Sequence, residues 1–352
     1  MSLNSHIKDW QPFKIDALGL VTLLGTDAVR KCLGRLVYSP FENFPLLAGH
    51  IFAGNTIADP IPGFILYNIT EGIMATDLSA WFTRWLLCQK ITSTDTRLTI
   101  DVIDPTPDKT WFTATIAACT NIGLVLFPAL IKDWYGFVSA FGLVLTIGAR
   151  AYVLWDLRKS IDGQTTEATI HTETKKVKVL IKLPNGSKVI VDTTTGIVQN
   201  CLLREARPRD YHSFARAVCW IGFAFHAVFL GMACLCVQLA IVGLTLVCSV
   251  LAVSQVGCIE SHVGSRLRIE LKESLTYGNA GQLVLLEMTN QEQDCMESWS
   301  MVPGRVNTIW WDTYTRFDED VRATSDVAKD SVLRGWGKRM REASEATNVL
   351  EA

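Results

Sequence analysis

The chain has 352 residues, with 33 Lys and Arg against 35 Asp and Glu, a formal net charge of −2 and a mean hydropathy of +0.23. That balance excludes a charge-driven nucleic-acid binder, which needs a clustered basic face. The modest hydropathy is an average over a strongly apolar middle and ordinary polar flanks, so about 265 residues lie outside any bilayer core.

The opening MSLNSHIKDWQPF lacks a basic start followed by an apolar run, so no cleavable signal is expected and internal spans must act as signal anchors. Ala17–Leu24 is too short to cross a membrane. Phe44–Tyr67 is long enough, but Asp59, Pro60 and Pro62 interrupt it, so it reads as a re-entrant or interface-lying segment, with a fifth span as the alternative. Asn68-Ile69-Thr70 is a glycan acceptor only if this region is lumenal; a cytosolic placement silences it. Ile73, Met74, Leu78, Trp81, Phe82, Trp85 and Leu86 recur at helical spacing and predict an amphipathic helix over 71–89, either packed in a core or docked on the interface. Residues 95–109 form a polar linker, closing an N-terminal region of 1–110.

Two apolar blocks follow. Phe112–Trp155 carries only Lys132, Asp133 and Arg150 as charges, and Ala217–Ile259 carries none. At 1.5 Å per residue either block would make a single helix of about 65 Å, twice a bilayer core of about 30 Å, so each reads as two spans. Trp111, Trp134 and Trp155 fall at the expected edges of the first pair, where indole prefers the headgroup boundary. In the second block the turn is placed near Cys236–Gln238, at the strongly polar side chain closest to its centre. The predicted fold is therefore an α-helical polytopic membrane protein, four transmembrane helices in two hairpins (111–156 and 216–258), with a small cytosolic β-containing α+β module.

Orientation follows from the connector 157–215. The stretch Asp156–Arg216 holds 11 Lys or Arg against 7 Asp or Glu, and basic loops stay cytosolic, which puts both termini in the cytosol as well. Inside the connector, Val177, Val179, Ile181 and Leu183 alternate with Lys178, Leu180 and Lys182 ahead of Pro184-Asn185-Gly186-Ser187. That pattern predicts a β-hairpin with Lys188–Asp192. Ile197–Leu203 is read as a possible third strand and Asp162–Glu173 as a flexible lead-in. A two-stranded ribbon is marginal in water, so a cover is expected from the C-terminal region 259–352, with strands at Leu267–Leu271 and Leu283–Met288 and a final helix near Asp326–Ala346.

No catalytic, cofactor or metal motif is recognisable. Cys258 and His262 have a metal-like spacing but cannot alone fill a four-ligand site. The cysteines scatter as reduced packing residues do, with Cys258 positioned for acylation at a membrane edge. Asp318-Glu319-Asp320 reads as a solvated acidic face. Three intramembrane polar residues stand out as site candidates. Arg150 is expected to snorkel to the cytosolic headgroups. Asn121 and His226 lie near mid-depth and are expected to hydrogen-bond each other, or else to form a site for a headgroup, substrate or proton.

The run Lys132-Asp133-Trp134-Tyr135-Gly136 through Arg150, Asp156–Asp162, KLPNG at Lys182–Gly186, GIVQNCLL at Gly196–Leu203, Arg207-Pro208-Arg209 and Gly264-Ser265-Arg266-Leu267 resemble a set of fungal multi-pass membrane proteins. The likeness covers about Trp111–Ile269, with a weaker echo at Trp310-Trp311. It implies a multi-pass architecture and carries no catalytic residue across. The expected role is a membrane-anchored interaction or regulatory protein, its partners the lipid bilayer and a protein at the cytosolic face. The alternative is an embedded enzyme acting on a lipid or isoprenoid, and after that a transporter. Whether the chain is an enzyme and which oligomer it forms stay open.

Overall fold

The structure is a computed structural model, and it describes residues 26–89, 91, 96–104, 111–170, 175–208, 211–254, 260–272, 283–284 and 286–324, together with Val332 and Trp336. In chain order the N-terminal part forms α1 (Thr26–Gly34), α2 (Gly49–Ala53), β1 (Ile65–Asn68), β2 (Ile73–Ala75), α3 (Ala80–Cys88) and β3 (Thr96–Val102). Then come α4 (Trp111–Ile131), α5 (Trp134–Ile170), β4 (Lys176–Lys182), β5 (Lys188–Thr194), α6 (His212–Met232) and α7 (Leu235–Ser254). The C-terminal part adds β6 (Glu260–Val263), β7 (Leu267–Lys272), α8 (Asn290–Ser298) and α9 (Thr308–Ala323). The molecule is mostly helical, and α4, α5, α6 and α7 are each long and apolar enough to cross a membrane.

The turn between α4 and α5 falls where the sequence places it. Lys132 takes a left-handed φ of +62°, its N–H bonds the carbonyl of Ala129, and the Asp133 N–H bonds that of Pro128. This is the paired bonding of a Schellman stop, with lysine in the position glycine usually fills. The second turn lies at Ala233-Cys234, earlier than Cys236–Gln238. Gln238 does not mark a break because its amide reaches back to cap α6, Nε2 donating to Leu230 O and Ala233 O at 2.9 and 3.0 Å.

Helix α5 runs 37 residues, about 55 Å, and does not stop at Trp155. Asp156, Leu157, Arg158, Ile161, Gln164, Thr165 and Ala168 form its buried face at helical spacing. The lead-in expected over Asp162–Glu173 is therefore helix through Ile170, with Asp162 bonded to Ser265 and Glu167 exposed; residues 171–174 lie outside the described set. This extension packs on one face of a seven-stranded sheet of order β2-β1-β4-β5-β3-β7-β6, antiparallel except between β3 and β5.

The predicted β4–β5 hairpin forms, with Lys182 opposite Lys188 and Gly186 alone of the turn residues at positive φ (+84°). Its neighbours come from far along the chain: β1 pairs with β4, and β3 lies between β5 and β7. Ile197–Leu203 is no strand. Ile197, Val198, Cys201 and Leu202 are buried at spacings of one, three and four, and the chain forms the helical turns Thr195–Ile197 and Val198–Leu202 against α5. The helix expected over 71–89 is shorter. Asn68 Oδ1 accepts the Glu71 N–H, Gly72 turns at φ +69°, and Ile73–Ala75 returns as β2, leaving a helix only over Ala80–Cys88. Trp81 and Trp85 are wholly buried in that helix, so its contacts are those of a core.

Two hydrophobic layers enclose the sheet. Val177, Val179, Ile181, Val189 and Val191 face α1, α3 and α5 in a core that continues into the ends of α6 and α7. Tyr67, Leu180 and Ile190 face the other way, under Met296 of α8 and Trp310, Tyr314 and Phe317 of α9. Helix α8 opens on a full capping box between Thr289 and Glu292, and Asn307 caps α9 through the Trp310 N–H. Leu283–Met288 contributes to this layer without being a strand, since Leu283 and Val284 are helical and Glu287 turns at φ +47°. Of the helix expected near Asp326–Ala346, only Val332 and Trp336 are described; Trp336 stacks on Phe317 at 5.5 Å. In the acidic cluster, Glu319 and Asp320 are exposed and Asp318 pairs with Arg322 at 2.9 Å. Truncation after Lys272 removes α8 and α9, and is expected to make Lys175–Arg204 protease-sensitive. Unchanged protection would mean that α3 and α5 hold the sheet unaided.

Candidate functional site

The seam between α5 and α6 is built from small residues. A Cβ on Gly142 would sit 2.8 Å from Gly222 O, and one on Gly222 would sit 2.8 Å from Gly142 O and from the Thr146 methyl. Backbones this close need glycine on both sides, as in helix pairs of membranes. One turn away the buried Ser139 hydroxyl donates to His226 O at 3.1 Å, and His226 Nδ1 lies 3.1 Å from both the Ser139 hydroxyl and its carbonyl. A proton on Nδ1 fits that carbonyl as acceptor. His226 therefore bonds across the α5–α6 seam and not with Asn121. Sequence depth placed the two at one level, but their rotation about separate helices turns them to different neighbours. Accordingly Asn121→Leu and His226→Leu are expected to be additive in stability. Ser139→Ala with His226→Leu should couple by about 0.6 kcal/mol, the average for such pairs in membranes. Thermal denaturation of the three single variants and the two double variants reads both.

Asn121 and Arg150 instead hold a loop. Asn121 Nδ2 donates to Asn43 O at 3.0 Å. Arg150 is 1 % exposed, and its guanidinium donates to Glu42 O at 2.6 Å, Phe44 O at 2.7 Å and Leu46 O at 3.3 Å. The snorkelling expected of Arg150 does not occur, because three loop carbonyls converge on it and the N–H donors of a planar fork suit them. Eight residues on, Arg158 repeats the device. It donates to Leu36 O and Val37 O at 3.0 and 3.1 Å, grips both oxygens of Glu42 at 2.9 and 2.6 Å, and covers the Tyr38 ring at 4.0 Å. Arg84 does the same for a second loop, bonding Thr56 O and Asp59 O at 2.7 and 2.8 Å. Loop carbonyls turned away from water need donors, and the three arginines supply them.

The clamp presses α2 into the bundle. A Cβ on Gly49 would approach the Thr146 methyl and Phe223 at 3.1 and 3.2 Å, and His50 packs on Phe223 with ring centres 5.5 Å apart. Beside it, His212 at the start of α6 lies 3.3 Å from Asn55 Oδ1 and 4.0 Å from Asp156 Oδ2, all three on converging elements. At the opposite end of the bundle, Asp133 is buried. One carboxylate oxygen accepts the Gly136 N–H at 3.2 Å and the other the Cys234 N–H at 2.8 Å, tying the two turns together.

Sequence reasoning missed Ser139, Asp133, Glu42, Arg158 and the Asp156–His212 contact as site residues. Only Asp133 offered a local signal, as an N-cap three residues before Gly136. Of the cysteines outside the long apolar runs, Cys201 is buried beside Thr165, and burial pushes its thiol up to about 11, which keeps it protonated. Cys258 lies outside the described residues. Among the described residues no group of three His, Cys, Asp or Glu side chains is placed to hold a metal ion. Motifs distant in sequence meet here: Asp162 accepts from the Ser265 N–H at 2.8 Å and its hydroxyl at 3.0 Å, and Gly264 has no room for a Cβ beside that carboxylate. Comparison with protein-family models, with curated proteins and with solved structures yields no match.

Proposed function

We propose that the chain is a multi-pass integral membrane protein whose α4, α5, α6 and α7 cross the bilayer as two hairpins. Its termini and connector face the cytosol, and its α/β module acts as a membrane-anchored interaction or regulatory platform. The observation that carries this reading is α5, one unbroken helix whose first half is membrane-apolar and whose second half lies in the core of the module. A platform fused to its anchor in this way keeps a fixed height and orientation over the membrane.

Other features support it. Trp111 and Trp134 are exposed at the starts of α4 and α5, and Trp155 is exposed about one bilayer thickness along α5, as interfacial belts require. Phe112, Leu126, Leu130, Val228 and Val250 are exposed along the helices, an apolar surface that belongs in lipid. Residues 41–53 then enter the bilayer level and return, a re-entrant segment whose carbonyls Asn121 and Arg150 satisfy. Because Asn121, Arg150 and His226 bond groups of the chain itself, anchoring is favoured over an enzyme built on those residues.

Reporters fused before Met1, after Lys188 and after Ala352 are expected to read cytosolic, and one inserted at Lys132 lumenal. A glycan on Asn68 would replace this topology by one with a fifth span. Lipid composition of a deletion strain is expected to match wild type; a change rescued by the wild-type chain but not by His226→Leu would favour the enzyme.

A further inference from the structure

Between α5 and α6, away from the clamp, lies a groove of about 570 Å³ lined by Phe141, Leu145, Gly148, Tyr152, Phe214 and Val218. Tyr211, just before α6, also lines it. From Phe141 to Tyr152 it extends eleven residues along α5, about 16 Å, which is half of a bilayer core. Its walls are apolar, and its volume suits one flexible chain rather than a helix about 10 Å across.

The cytosolic mouth is different in kind. Tyr152 packs on Trp155 with ring centres 5.9 Å apart, and Lys159 holds its ammonium 4.9 Å from the Trp155 ring centre. Lys159 stands two turns above Tyr152 on the same helical face. Its neighbour Ser160 accepts the backbone N–H of Arg207 at 2.9 Å, which anchors the backbone of a second, exposed basic residue at the position next to Lys159 along α5. The nearby carboxylates are engaged elsewhere: Asp162 with Ser265, Glu167 with Arg204 and Glu205 with the Ala80 N–H.

We propose that this groove holds an acyl chain of one anionic phospholipid, with the headgroup phosphate at Lys159 and Arg207. The assignment rests on the membrane reading above and adds a specific lipid to it. The groove faces the cytosolic leaflet in that topology, where a basic side chain near the surface favours anionic lipid by about 1 kcal/mol.

The full chain, purified into nanodiscs of equal phosphatidylserine and phosphatidylcholine, should retain phosphatidylserine at least about fivefold enriched over the bulk by native mass spectrometry, fivefold being 1 kcal/mol. Lys159→Gln with Arg207→Gln should bring the retained lipid to the bulk ratio. Gly148→Leu should expel it with the fold intact, because a Cβ at Gly148 meets nothing within 4 Å. Bulk-ratio lipid on the wild-type protein, or full retention by Gly148→Leu, overturns the proposal alone. Failure to insert into the nanodisc overturns the membrane reading and the proposal with it.

Discussion

Arg150→Met is expected to lower stability by about 2–4 kcal/mol, because the carbonyls of Glu42 and Phe44 lose their donor together and each orphaned acceptor costs about 1–3 kcal/mol, while Leu46 O keeps the Ala48 N–H at 2.8 Å. Relief from burying the guanidinium itself offsets part of that loss. The diagnostic comparison is Arg150→Lys. An ammonium is a compact point charge and cannot reach the carbonyls of Glu42, Phe44 and Leu46 as the planar fork does. Lysine should therefore recover less than half of the loss in thermal denaturation, and new proteolytic cuts should appear between Phe41 and Leu47. If Arg150 merely snorkelled to headgroups, lysine would serve as well as arginine and the loop would stay protected. Glu42→Gln should show a weaker form of the same phenotype, since it leaves the Arg158 fork one neutral acceptor in place of a carboxylate.

What was legible in the sequence was whatever one contiguous segment decides. The apolar blocks, the Asn-Gly hairpin and the strand at Leu267 depend on local period and composition, and all three stand in the structure. What was not legible depends on partners far along the chain. Four residues, Ile65–Asn68, form a strand inside an apolar stretch, held between β2 and a partner, β4, over a hundred residues later. The helical spacing from Ile73 to Leu86 was real from Trp81 onward and coincidental before it, because a glycine turn at Gly72 sets a strand register that periodicity does not see. The stretch from Asp162 reads as a flexible lead-in because what its residues meet is far along the chain: Asp162 bonds Ser265, and Gln164 donates to Glu205 O. For the candidate site, depth along each helix was readable and rotation about its axis was not. That is why His226 was matched to Asn121 when Ser139 faces it.

Asp133→Ala is expected to be the most damaging substitution at the far end of the bundle, at about 3 kcal/mol. Two contributions add there. As an N-cap, Asp133 satisfies the Gly136 N–H and complements the positive end of α5, worth about 1 kcal/mol. Its second oxygen receives the Cys234 N–H, a buried bond to a charged acceptor worth about 1.5–3 kcal/mol, and the only donor it meets from the turn between α6 and α7 among the described contacts. Room for another arrangement is small, because Gly136 already places its Cα hydrogens where a Cβ would lie 2.8 Å from that carboxylate and 2.7 Å from Val237. Asp133→Asn separates the two contributions. Its amide keeps one oxygen for the cap but turns an NH₂ toward the Cys234 N–H, donor against donor, so about half the loss should remain. Asp133→Ser should restore the cap alone and fall in the same range. Denaturation midpoints of the four proteins in lipid would decide it: asparagine as stable as aspartate would mean that the carboxylate does not bridge the turns, and that α5–α6 packing through Gly142 and Gly222 holds the bundle without help from its far end.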